Sequence, residues 1–133
     1  MPRLAVAATL AATLVAGAAS AQVMTAPPTY FEAQTKLTAA EMKATFSGKY
    51  HEDGVDIAGH YWTVDAAPDG TLKVAAGAYV DTGRARLDGL KLCVSYVKTW
   101  KGEEHCFQYA HHGKELASYG PDGKLDSTVT ITH

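Results

Sequence analysis

From Lys49 to its end the chain repeats one pattern: a few residues in which apolar and polar side chains alternate, then a turn built on glycine. Alternation with period two marks strands with one buried face, because successive side chains of a strand point to opposite sides. Pro-Asp-Gly-x-Leu occurs twice, at 68–72 and 121–125. Proline presets φ at the first turn position, aspartate bonds locally, and glycine accepts the positive φ that precedes the next strand. Two copies mark hairpins rather than a repeat architecture.

The strands expected on this basis are His60–Asp65, Leu72–Val80, Arg84–Leu87, Leu90–Trp100, His105–His111, Leu116–Tyr119 and Leu125–Ile131. Leu72, Val74, Ala76, Ala78 and Val80 would share one face, and Leu125, Val129 and Ile131 would point inward. Asp81-Thr82-Gly83 and Asp88-Gly89 read as turns. Seven or eight short strands at this spacing predict a mainly β fold, a small antiparallel β-barrel or sandwich. A barrel has the merit of leaving no free edges.

One helix precedes the strands. Thr38 suits its N-cap, Glu41 completes a capping box three residues later, and Leu37 and Met42 stand where a hydrophobic staple forms. The helix should run through Phe46, with Gly48 supplying the left-handed residue past its end. So short a helix does not persist alone, so Leu37, Met42 and Phe46 are its docking residues, and it would plug or cover one end of a barrel.

Residues 1–21 read as a cleavable signal peptide. A basic start at Arg3 is followed by an uncharged, Ala-rich stretch from Leu4 to Ala19, and Ala19-Ser20-Ala21 supplies the small residues of a cleavage site. As a membrane anchor the stretch falls short of the roughly 20 residues a helical span needs. Residues 22–36, with Pro27-Pro28, read as an extended N-terminal arm that Tyr30 and Phe31 could pin to the domain, and 37–133 as a single β-rich domain. The expected location is periplasmic or secreted, with no stable membrane insertion after cleavage. In such a compartment Cys93 and Cys106, the chain's two cysteines, read as a disulfide rather than as two free thiols. The register with Cys93 opposite Cys106 puts both on the less apolar faces of their strands, and needs a wide loop or bulge near Gly102.

Thr38-Ala39-Ala40-Glu41-Met42-Lys43, Phe46-Ser47-Gly48-Lys49, Asp69-Gly70-Thr71, Asp81-Thr82-Gly83 and Gly89-x-x-x-Cys93-Val94 together resemble a family of small exported proteobacterial proteins defined only as a domain of unknown function. That family has an LTAAE helix ending at glycine, Asp-Gly hairpins and a two-Cys strand pair. It usually has a tryptophan just after the Asp-x-Gly turn, where this chain has Ala85. The resemblance covers roughly 37–123; it implies a fold, and no activity or catalytic residue.

The chemistry is bounded as much by what is missing. Lys and Arg number 12 against 14 Asp and Glu, interspersed, so no basic stripe exists to neutralise phosphates and nucleic acid is not an expected partner. No serine lies in a Gly-x-Ser-x-Gly context, and there is no phosphate loop or haem motif, so no cofactor and no catalytic residue is expected. Glu52-Asp53 and Glu103-Glu104 read as solvated turns. The histidines His51, His60, His105, His111 and His112 raise the alternative of a metal site, which would need donors from neighbouring strands, such as His51 with His60 across a hairpin. His105 and His111 stand about 20 Å apart along one strand, too far to share an ion. Aromatic residues, among them Trp62, Tyr96, Trp100 and Tyr109, would hold an apolar or sugar ligand if they line a barrel mouth. Trp100 is expected at a loop tip, as a contact surface. The reading is thus an exported non-enzymatic β-barrel module that binds a small ligand or an envelope or secreted partner protein. The alternatives are a metal-binding protein and a purely structural envelope protein.

Overall fold

The computed structural model describes residues 27–29 and 35–133. The expected leader, most of the arm, and Tyr30 and Phe31 lie outside the described residues. Eight antiparallel strands form a closed barrel in chain order: β1 (Tyr50–Asp56), β2 (Tyr61–Ala66), β3 (Thr71–Ala76), β4 (Tyr79–Asp88), β5 (Lys91–Tyr96), β6 (His105–His112), β7 (Glu115–Tyr119) and β8 (Leu125–Thr132). β8 closes on β1, with Gly54 opposite Val129. Closure, not a sandwich, removes the sheet edges. Among the described residues no helix is long and apolar enough to cross a membrane.

The two Pro-Asp-Gly segments make matching turns. Gly70 and Gly123 take φ of 88° and 74°. Asp69 and Asp122 each accept a hydrogen bond from the backbone N–H two residues on, at 2.9 and 3.0 Å.

Helix α1 (Ala39–Phe46) has the expected capping box: Thr38 Oγ1 accepts from the Glu41 N–H and Glu41 Oε1 accepts from the Thr38 N–H, both at 3.2 Å. Leu37, Met42 and Phe46 are buried, and Phe46 packs on Tyr50 and Tyr109. These contacts seal the end of the barrel where β1 begins and β6 ends. Just before the helix, Thr35 and Leu37 hydrogen-bond to His111 and Tyr109 of β6, beyond the last residue of β6 that β5 pairs with.

The disulfide joins Cys93 to Cys106 in the expected register, with Leu92 opposite Phe107 and Val94 opposite His105. A 3-10 turn at Thr99–Gly102 makes the wide loop between them, and Trp100, Lys101 and Gly102 all have positive φ.

Three expectations about strands are corrected. Leu72–Val80 is not one strand: the chain turns at Gly77-Ala78 and pairs Ala76 with Tyr79. Glycine at φ 60° there suits a two-residue hairpin. Asp81-Thr82-Gly83 is not a turn but lies within β4, which runs unbroken to Asp88. Gly83 serves close approach instead: a Cβ there would strike the Ser95 carbonyl of β5 and the Tyr96 ring. Leu125 does not point inward. A bulge between Ser118 and Tyr119 of β7 and their partners on β8 breaks the alternation, so Leu125 packs with Ala110, Ala117 and Tyr119 in a separate cluster, while Ser127 is buried.

Candidate ligand-binding cavity

An eight-stranded barrel has an interior just wide enough to be filled by side chains or to hold one small ligand. Here α1 covers one end, leaving a recess of about 240 Å³ between Phe46, Gly70 and Leu87, and the other half of the barrel holds a cavity of about 300 Å³. Tyr50, Leu72, Leu92 and Tyr109 form its floor. Trp62, Val74, Tyr96 and Phe107 form its walls. Ala76, Tyr79 and Trp100, all exposed, stand at its mouth, at the end of the barrel away from the helix.

Trp62, Tyr96, Trp100 and Tyr109, the four aromatic residues singled out in the sequence, all line this cavity. Tyr119 instead faces outward and donates its hydroxyl to the Pro28 carbonyl at 2.7 Å. Trp100 does not project as a free loop tip. Its ring stacks on His105 at 4.2 Å and leans on Tyr96 and Phe107, leaving it 37% exposed. A left-handed φ costs about 1–2 kcal/mol at a residue with a side chain, and the loop takes it twice in succession, at Trp100 and Lys101. Asp81 helps to hold it there: one carboxylate oxygen accepts from the N–H groups of Lys98 (2.9 Å) and Thr99 (2.8 Å) and from the Thr99 hydroxyl (2.8 Å). Burial alone would push the Asp81 carboxyl up, but these bonds outweigh it and hold it well below the usual carboxylate range.

Glu52 is the main surprise. The sequence suggests a solvated turn; the structure puts it mid-strand in β1, only 8% exposed and facing the cavity. Asp53, next along, is exposed, as strand alternation requires. Trp62 lies directly across from Gly54, and a Cβ at Gly54 would fall on its indole ring. The glycine therefore lets the indole lie flat over β1, where Nε1 donates to Glu52 Oε1 at 3.2 Å. Burial pushes the Glu52 carboxyl up to about 7, against the pull of the Trp62 bond. Burial, and then the charge of Glu52, raise the phenols of Tyr50, Tyr96 and Tyr109, so all three stay protonated near neutral pH. Asp126 and Ser127 reach the same cavity from β8, beside the bulge, and desolvation raises the Asp126 carboxyl as well. The signal that marks Glu52 in the sequence is the series Tyr50, Glu52, Gly54 at period two, opposite a tryptophan.

The histidines do not converge. His51 pairs across the sheet with Asp65, not with His60, and its Nδ1 lies 2.7 Å from Asp65 Oδ1. His60 sits at the hairpin tip, 3.0 Å from Asp56 Oδ2. His111 contacts Glu41 of the helix at 2.5 Å, and His105 lies under Trp100. His112 pairs with Glu115 at the β6–β7 hairpin. Among the described residues the one group of three metal-ligand types in reach of one another is Cys93, Cys106 and Glu104. Its two sulfurs are bonded to each other and Glu104 is engaged by Arg86 at 2.6 Å, so it holds no free ligand set. Glu103 and Glu104 both stay at the surface, as expected of a turn.

The fold and the site define a class: a closed eight-stranded barrel, plugged at one end by a helix and open at the other into an aromatic cavity with a buried carboxyl. No family model, no curated protein and no solved structure matches the chain.

Proposed function

We propose that this protein is an exported, non-enzymatic binding module that takes up a small, largely apolar ligand through the barrel mouth. The observation that carries the reading is the cavity of about 300 Å³ walled by Trp62, Tyr96 and Phe107 with Trp100 at its mouth, at the lower end of the range for small-molecule sites. A barrel with only a structural role would gain by filling that space, since each lost contact weakens the core. Export to the periplasm or beyond is supported by the character of residues 1–21 and by the Cys93–Cys106 disulfide, which persists in oxidising compartments.

Trp62 and Trp100 are the chain's two tryptophans, and both line the cavity. Intrinsic fluorescence therefore reports the site without a label. A panel of small aromatic fragments should include members that shift the emission and raise the melting temperature. Ala76→Phe, which narrows the mouth at an exposed position without adding a tryptophan, should abolish the shift while leaving the unliganded melting temperature within a few degrees. A panel without a responder, or an unchanged response in A76F, would defeat the proposal.

A further inference from the structure

We infer that the ligand is a small organic cation, an aryl- or alkylamine whose ammonium group meets Glu52 on the β1 side of the cavity and whose apolar part lies between Trp62, Tyr96 and Trp100. The inference rests on the cavity being a binding site, and adds the chemical class of what binds.

The argument is one of complementarity. Glu52 and Asp126 line the cavity, and no Lys, Arg or His is among the described residues that do. Glu52 is more than nine-tenths buried, and Trp62 Nε1 is its one hydrogen-bond donor; the second oxygen, Oε2, accepts none among the described residues. An apolar ligand would expel water from this carboxylate and give nothing back, which is costly for a buried charge. An anion would be repelled. A cation supplies the missing partner, and the faces of aromatic rings attract it further once water is excluded. The third carboxylate, Asp56, is already satisfied by the backbone N–H groups of Ala58 and His60 and by the His60 ring, so it is not the ligand's partner. At about 30 Å³ for each water-sized group, the cavity takes about ten non-hydrogen atoms.

The charged and titratable groups around Glu52 fix how binding should follow pH. Trp62 faces it from β2, and the phenols of Tyr50, Tyr96 and Tyr109 face it from β1, β5 and β6. Asp126 approaches from β8, and His51 and Asp53 flank it in sequence. The phenols stay neutral near pH 7, and burial holds the Glu52 carboxyl near 7. The ionised, cation-binding form thus grows about tenfold from pH 6 to pH 8.

The test is calorimetric titration of the oxidised protein with 2-phenylethylamine, 2-phenylethanol and 3-phenylpropanoate, which share an aryl group and differ in charge. The amine should bind at least tenfold more tightly than the alcohol at pH 8, and the carboxylate should bind most weakly. Amine affinity should fall about tenfold at pH 6, where the amine is still protonated, while alcohol affinity changes little. Glu52→Gln should lose the preference for the amine and keep the alcohol; His51→Gln should keep the pH profile. Equal binding of amine and alcohol, or an amine preference that survives in E52Q, overturns the ligand class and leaves the cavity reading standing. Failure of all three ligands to bind overturns both.

Discussion

At the scale of single residues, the buried carboxyl of Glu52 carries an energetic cost that no contact in the fold removes. Its proton is held in the folded protein up to about pH 7, whereas the unfolded chain releases it near the ordinary glutamate value. Stability from this group is therefore complete below the unfolded value and is lost as pH rises toward and through 7. Between pH 5 and pH 8 the loss should be about 2–3 kcal/mol. Denaturant unfolding of the wild type and Glu52→Gln at both pH values isolates it to first order, because Asp81 titrates below this window and because Asp126 and His51, which interact with Glu52 through their charges, are present in both proteins. E52Q should gain on the wild type at pH 8 by about that amount; an unchanged difference between the two proteins would mean that the carboxyl is not buried as described. Such residues are hard to find in a sequence. Glu52-Asp53-Gly54 has the composition of a turn, and only the opposing Trp62, a tertiary partner, makes it a strand with an inward acid. Asp81-Thr82-Gly83 misleads for the same reason. Its aspartate anchors a loop 17 residues on, at Lys98 and Thr99, and its glycine yields room to Ser95 and Tyr96.

Secondary elements were far more legible where their determinants are local. The capping box of α1, the staple residues and the two Pro-Asp-Gly turns are written within five or six residues of sequence, and each forms as local chemistry demands. The Cys93–Cys106 register could be read because a covalent bond and a period-two pattern constrain the same pair of strands. The β3–β4 hairpin and the bulge opposite Ser118 could not, since Gly77-Ala78 lies inside an uninterrupted alternation and the bulge is set by pairing between strands. The β5–β6 pair itself joins only Leu92–Val94 to His105–Phe107, so the disulfide at its centre matters more than usual. It closes the loop that carries Trp100, and in the chain-entropy model a loop of this length is worth about 3 kcal/mol. Cys93→Ser with Cys106→Ser should lower stability by about that much. Hydrogen exchange should accelerate first in 97–104, with strands β1 and β2 least affected. Uniform acceleration along the chain would show that the bridge stabilises the barrel as a whole and not the mouth loop in particular.

Across the whole molecule, the barrel separates two tasks by its two ends. At one end Leu37 and, from α1, Met42 and Phe46 join Tyr50 and Tyr109 in the apolar core. At the other, a strained loop, a buried acid and exposed aromatic residues surround space that side chains do not fill. Strain and unpaired polarity gathered at one end fit a protein whose stability is supplied by the other. The two should then come apart under mutation. Met42→Ala removes a side chain that is 1% exposed, and deletions of that size cost about 2–5 kcal/mol. At a temperature where the variant is still folded, the fluorescence response of Trp62 and Trp100 to a cavity ligand should keep its wild-type midpoint. Tyr96→Leu, at the wall, should do the reverse, costing less stability than M42A while shifting the midpoint several-fold. If M42A weakens ligand binding as much as Y96L does, the helix and the mouth are one coupled unit, and the plugged end would have to be counted as part of the site.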